Sequence, residues 1–128
     1  MIDGSLAFSG FSVKNLDEAK DFYGATLGID IEDGPMGMLK LKVGGGNGVL
    51  IYPKEDHTPA TYTVLNLPVS NIDEVVDGLI VKGVVFEQYP GMTDEKGVAR
   101  GISQNRGPDI AWFKDPAGNI LSVLKDGC

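Results

Sequence analysis

The sequence predicts an α+β fold made of two tandem β-α-β-β-β modules within a single domain. Three observations carry that expectation. The stretch "VKNLDEAKDF" from Val13 returns as "VSNIDEVVDG" from Val69, with Val, Asn, Asp, Glu and the second Asp recurring in place. Each copy opens on a helix-capping asparagine and runs to a glycine that can end the helix. Each is preceded by an alternating strand and followed by further strand-like pieces.

In the first copy, Ser9 to Val13 reads as a strand. Asn15 then caps a helix, with Glu18 three residues on in the capping-box position. Leu16, Ala19, Phe22, Tyr23 and Leu27 fall on one helical face. Gly28 stops the helix, "IDIE" follows as a short strand, and Met36 to Val43 and Gly48 to Pro53 complete the module. In the second copy, Thr63 to Val69 leads. Asn71 caps, Glu74 completes the box, and Ile72, Val75, Val76, Leu79 and Ile80 form the apolar face. Gly83 ends that helix. "VVFE", Asp109 to Lys114 and Asn119 to Lys125 are the expected strands. Module one spans 5–55 and module two 60–126 of the domain 1–128.

A sheet covered by one helix has a bare second face. Two such halves, edge to edge, are expected to curve into a cup-like mixed sheet with helices outside. Strand parity then sorts the side chains. In "DPAG", Pro116 suits the second position of a type I turn and Gly118 the left-handed position, which pairs Asp115 with Asn119. Counting back, Phe113 opposes Leu121 and Trp112 opposes Ser122, and opposed residues share a face. On the leading strands, Phe11, Val13, Leu65, Leu67 and Val69 are expected to face the helices. Phe8, Gly10, Ser12, Tyr62, Val64 and Asn66 then face the cup, with Leu50 and Tyr52 as the inward pair of the fourth strand.

Composition narrows the function. With 42% apolar residues, the 128-residue chain is globular. A net charge of -7 without a basic stripe argues against nucleic acid and anionic membranes as partners. No apolar run approaches the ~20 residues of a membrane-spanning helix. The N-terminus lacks the basic region of a signal peptide, and the one cysteine, Cys128, cannot form an internal disulfide. A cytoplasmic setting is the expectation. "VGGGNG" lacks the helix and the Lys-Ser/Thr pair of a phosphate loop and reads as a turn.

"VKNLDEAKDFYGATLGI" and "FKDPAGNILSV" resemble the first-module signature and the final hairpin of the vicinal oxygen chelate superfamily. Glyoxalase I, bleomycin-resistance proteins and extradiol dioxygenases belong to it. The resemblance covers about Ala7 to Leu124 and implies the paired-module fold. It also implies metal-ligand positions near Phe8, Leu50, Val64 and Ser122, the last lying four residues after the turn glycine and pointing into the cup. Phe, Leu and Val offer no donor atom, and a serine hydroxyl is a poor transition-metal ligand. No metal and no cofactor are therefore expected.

The expected reading is a member of this superfamily that binds a small organic molecule in the cup. Its walls are Phe8, Leu50, Tyr52, Tyr62, Val64, Met92 and Trp112, with Ser12, Asn66 and Ser122 as polar contacts. Tyr62 and Trp112 either stack on a flat ligand or fill the cup as core. The long stretch from Tyr89 to Pro108 is either a lid, with Arg100 or Arg106 meeting an anionic or polar ligand, or a solvent loop, extra strand or dimer contact. His57, the one histidine, is either a solvated linker residue or a general base at the rim. The alternative function is an enzyme of the same superfamily. It would be a lactoylglutathione-lyase-like lyase or isomerase, or a dioxygenase, with non-standard metal ligands or metal-free acid–base catalysis. The resemblance also implies a homodimer.

Overall fold

The computed structural model describes residues 1–44, 46–102, 105 and 107–126. The chain divides into two compact units, Met1–Pro59 and Ala60–Cys128. Each holds a four-stranded mixed sheet and an α-helix, so the architecture is α+β.

In the first unit, the strands are β1 (Ser9–Val13), β2 (Ile31–Asp33), β3 (Leu39–Leu41) and β4 (Val49–Pro53), in spatial order β1-β4-β3-β2. β1 runs parallel to β4, and the other pairs are antiparallel. The helix α1 (Leu16–Lys20) continues as a π-helical segment, Asp21–Thr26. Asn15 caps it, its side chain accepting from the Glu18 N–H at 3.0 Å. Gly28 ends it at φ 72°, a conformation that carries no steric cost without a Cβ. The helix-facing side of the sheet buries Val13, Leu39, Leu41 and Ile51 with Ala19 and Tyr23. The Tyr23 ring meets Phe11 at 6.1 Å and Phe22 edge-on at 5.4 Å.

The second unit repeats the plan. Its strands are β5 (Thr63–Val69), β6 (Val98–Ala99), β7 (Ile110–Lys114) and β8 (Ile120–Lys125), in order β5-β8-β7-β6 with β5 parallel to β8. The helix α2 (Ile72–Val81) is capped by Asn71, which accepts from the Glu74 N–H at 3.1 Å, and Gly83 follows it at φ 94°. Ile72, Val76 and Leu79 are buried, as are Phe113, Leu121 and Val123 on the sheet. The hairpin forms as its turn residues dictate. Gly118 has φ 88°, the Asp115 N–H donates to the Asn119 carbonyl at 2.9 Å, and Phe113 opposes Leu121 while Trp112 opposes Ser122.

Met36 to Val43 yields a strand only over Leu39–Leu41, behind a 3₁₀ turn at Pro35–Gly37. Two further expectations need correction. "VVFE" is not a strand: it supplies one isolated bridge, Phe86 to Phe113, and one bond from the Glu87 N–H to the Trp112 carbonyl. The edge strand proper is β6, which pairs Val98 with Ala111 and Ala99 with Ile110. Both pieces lie along the same edge of β7, so residues 88–97 are an excursion from one interrupted edge strand. Its neck closes at Gly97, where a Cβ would come within 2.8 Å of the Phe86 Cβ and 3.0 Å of the Glu87 carbonyl oxygen. The second correction concerns β5. A register shift between Thr63 and Leu65 makes Val64 the residue of a bulge, and Tyr62 lies before the strand in a bend. Strict alternation therefore holds from Leu65 onward and does not extend back to Tyr62.

Replacing Asn71 with Ala should cost about 1 kcal/mol of unfolding free energy, whereas Asn71→Asp should stay within a few tenths. Urea denaturation of the two variants beside the parent checks this. Equal losses would mean that the cap bond carries no stability.

Candidate functional site

The first sheet has one helix-facing side and one open side. Pairing register fixes the open side: Gly10 lies opposite Leu50, Ser12 opposite Tyr52, Lys40 opposite Leu50 and Glu32 opposite Lys40. At one end of this face is a cavity of about 310 Å³ lined by Leu6, Phe8, Pro35, Lys40, Asn47 and Leu50. Phe8 and Leu50, both inferred as wall residues from strand parity, thus meet in one hollow. Leu6, Pro35, Lys40 and Asn47 were not foreseen. For Lys40 a signal existed, because a β3 residue opposite Leu50 must share its face.

Asn47 has a second task. Its side-chain amide donates to the carbonyls of Ser5 and Ala7, at 3.0 and 3.2 Å. The N-terminal segment carrying Leu6 and Phe8 is thereby tied to the β3–β4 connection. That segment starts with a 3₁₀ turn, Gly4–Leu6, capped by Asp3. The Lys40 ammonium lies 3.5 Å from a Glu32 carboxylate oxygen and remains partly exposed. The hollow is therefore apolar along most of its wall, with one cation and one amide among its lining residues.

Two residues further along the same face, Ser12 Oγ lies 2.6 Å from His57 Nδ1. His57 reaches it from the turn after β4, where its own N–H donates to the Lys54 carbonyl at 3.1 Å. Lys54 and Asp56 form an ion pair across the same turn. His57 is half-buried rather than fully solvated.

In the second unit, Asn66, Ser122 and Trp112 stand in one row across β5, β8 and β7. The Ser122 hydroxyl donates to Asn66 Oδ1 at 2.6 Å, and Ser122 is fully buried. The Trp112 ring meets Tyr89 edge-on at 5.5 Å. Tyr62 and Met92 are exposed, and Val64 sits at the bulge.

Arg100, which the lid alternative turned toward a ligand, binds carboxylates of its own chain. Its guanidinium makes a fork on Asp73, at 2.7 and 3.0 Å, and bonds Asp94 at 3.0 Å, with Asp109 at 3.7 Å. Lys96 adds bonds to Asp73 at 2.9 Å and Asp77 at 3.1 Å. Arg100, then Lys96, hold the Asp73 carboxyl well below the usual carboxylate range. Burial works against the charge on Asp94, yet the Val98 N–H and then Arg100 lower its pKa overall. The same carboxylates, Asp73 foremost, raise the pKa of Arg100. The excursion 88–97 and β6 are thus pinned to the first turns of α2. Arg106 and Cys128 lie outside the described residues.

A family model described as the Glyoxalase/Bleomycin resistance protein/Dioxygenase superfamily matches residues 6–123. The chain belongs to that superfamily. No curated protein matches it. Among solved structures, it is similar to a superfamily member from Sphaerobacter thermophilus DSM 20745, at 24% identity and TM-score 0.68, covering 94% of this chain and 96% of that one. It is also similar to TnmS3, an antibiotic binding protein from Streptomyces sp. CB03234, at 21% identity and TM-score 0.67, with 98% of each chain covered. A third is the genomically encoded fosfomycin resistance protein FosX from Listeria monocytogenes, at 16% identity and TM-score 0.68, covering 98% and 94%.

The metal centre that the superfamily implies does not fit this chain. Phe8 and Leu50 present hydrocarbon at their positions, Val64 does the same, and the Ser122 hydroxyl is spent on Asn66. Among the described residues, no three His, Cys, Asp or Glu side chains come together as a metal-holding group.

The ion-pair cluster makes a pH prediction. Because the folded Asp73 pKa is depressed, its stabilisation is complete above the unfolded carboxyl's ~3.9 and declines as pH falls below it. Asp73 is half exposed, so screening limits the effect. Asp73→Asn should cost roughly 1 kcal/mol at pH 7, less in high salt, and progressively less as pH falls below the unfolded carboxyl's value toward the depressed folded one. Urea titrations across that range check it, and a pH-independent difference would contradict the ion-pair account.

Proposed function

We propose that this chain is a small-molecule-binding member of the superfamily that works without a metal. The hollow at Phe8 and Leu50 is the seat for an apolar organic ligand bearing an anionic or hydrogen-bond-accepting end. The single observation that carries this reading is the makeup of that hollow. Its volume falls in the range of small-ligand sites. Leu6, Phe8, Pro35 and Leu50 supply apolar wall, and Lys40 and Asn47 supply charge and hydrogen bonding. The likeness to an antibiotic binding protein and to a fosfomycin resistance protein supports binding of small organic compounds in this fold. A single domain, a homodimer and a cytoplasmic setting belong to the same proposal. No described helix is long and apolar enough to cross a membrane.

The aromatic sulfonate 8-anilinonaphthalene-1-sulfonate is a suitable probe, read by its fluorescence and by calorimetry. Leu50→Trp, which fills the hollow, should abolish binding without lowering the melting temperature. Lys40→Met should weaken it about tenfold, the share of one charge-assisted hydrogen bond. Undiminished binding by the Leu50→Trp protein would move the site elsewhere. Metal analysis of the purified protein is expected to return no stoichiometric transition metal. A bound metal lost on substituting Ser122 or Asn66 would reverse that expectation.

A further inference from the structure

We propose that Ser12 and His57 form a nucleophile–base pair that accepts an acyl group from small activated esters. This goes beyond ligand binding and stands on a separate contact. Three observations carry it. The hydroxyl and the imidazole lie 2.6 Å apart, within the reach that lets a ring nitrogen take a hydroxyl proton. The two residues are 45 positions apart in sequence, so the contact is a product of the fold, not of local chain geometry. The chain at His57 is also held in place, its backbone N–H donating to the Lys54 carbonyl in the turn after β4.

The surroundings leave room for a substrate. Phe8 lines the hollow just before β1; along β1 this face then runs Gly10, Ser12, and along β4 it runs Leu50, Tyr52. Gly10, between the hollow and Ser12, is exposed and carries no side chain on this face. Successive residues on one strand face are spaced about 7 Å apart. An acyl compound with its apolar part at Leu50 therefore brings its carbonyl carbon to the level of Ser12.

With the ring proton on Nε2, Nδ1 accepts the Ser12 proton as Oγ attacks the carbonyl carbon. The Ser–acyl C–O bond forms, and the C–O bond to the leaving alcohol breaks. That group departs as its anion, and the proton on His57 passes to water. No oxidant, reductant or metal enters the balance.

The test uses 4-nitrophenyl acetate on the full chain, with nitrophenolate release followed by absorbance and the modified residue found by peptide mass spectrometry. One acetyl group on Ser12 is expected, forming at least about 100-fold faster than in His57→Gln, the scale of general-base assistance. Gln keeps a hydrogen-bonding arm toward Ser12 but is no base, and circular dichroism melting checks that it folds. Ser12→Ala should take no label at that peptide. Acetylation confined to lysines or to His57, or equal Ser12 labelling in His57→Gln, would overturn the proposal. An acetyl group is too small to need the hollow, so failure here is distinct from failure of sulfonate binding.

Discussion

The organising constraint is the covering of one face of each sheet by a helix. A single helix buries one face, and a pleated strand alternates its side chains between faces. Val13, Ile51, Leu39 and Leu41 must therefore be apolar, while Ser12, Lys40, Leu50 and Tyr52 are released from the core. The parallel closure of β1 on β4, and of β5 on β8, is made possible by the helical crossover that supplies the cover. A one-residue slip in either pairing would exchange core and open face together. Fold and candidate site are two sides of the same register.

What the sequence showed was what is local. The Asn15 and Asn71 caps, the Gly28 and Gly83 stops and the Asp115–Asn119 hairpin each depend on residues within a few positions, and each forms. Given that hairpin, the Trp112–Ser122 pairing followed by counting. Counting fails where a strand carries an extra residue. Nothing in "TYTVLNL" announces the bulge at Val64. Nor did "VVFE" betray that β7's edge would be shared with Val98–Ala99, since edge pairing depends on where the chain returns.

The site was half legible for the same reason. Phe8 and Leu50 came from parity and meet in the hollow. Asn47 tying down the N-terminal segment, and His57 reaching Ser12, are contacts across 40 or more residues and leave no periodic trace. Arg100 stood among the candidate contacts because a basic residue in a long glycine-rich stretch suggests a ligand. Three carboxylates from α2, the excursion and the approach to β7 surround it instead.

The neck at Gly97 has a consequence for how this architecture can diversify. Because the chain returns to Phe86 and Glu87 before β6 begins, the residues between are anchored at a fixed doorway whatever their number. Lengthening such a loop twofold costs only about 0.6 kcal/mol in closure entropy. Variation in size and chemistry can accumulate between Tyr89 and Asp94, ahead of the Asp94 and Lys96 contacts that hold β6 to α2, while the β6–β7 edge stays in place. The glycine itself is the fixed point, since any side chain there would force the doorway open.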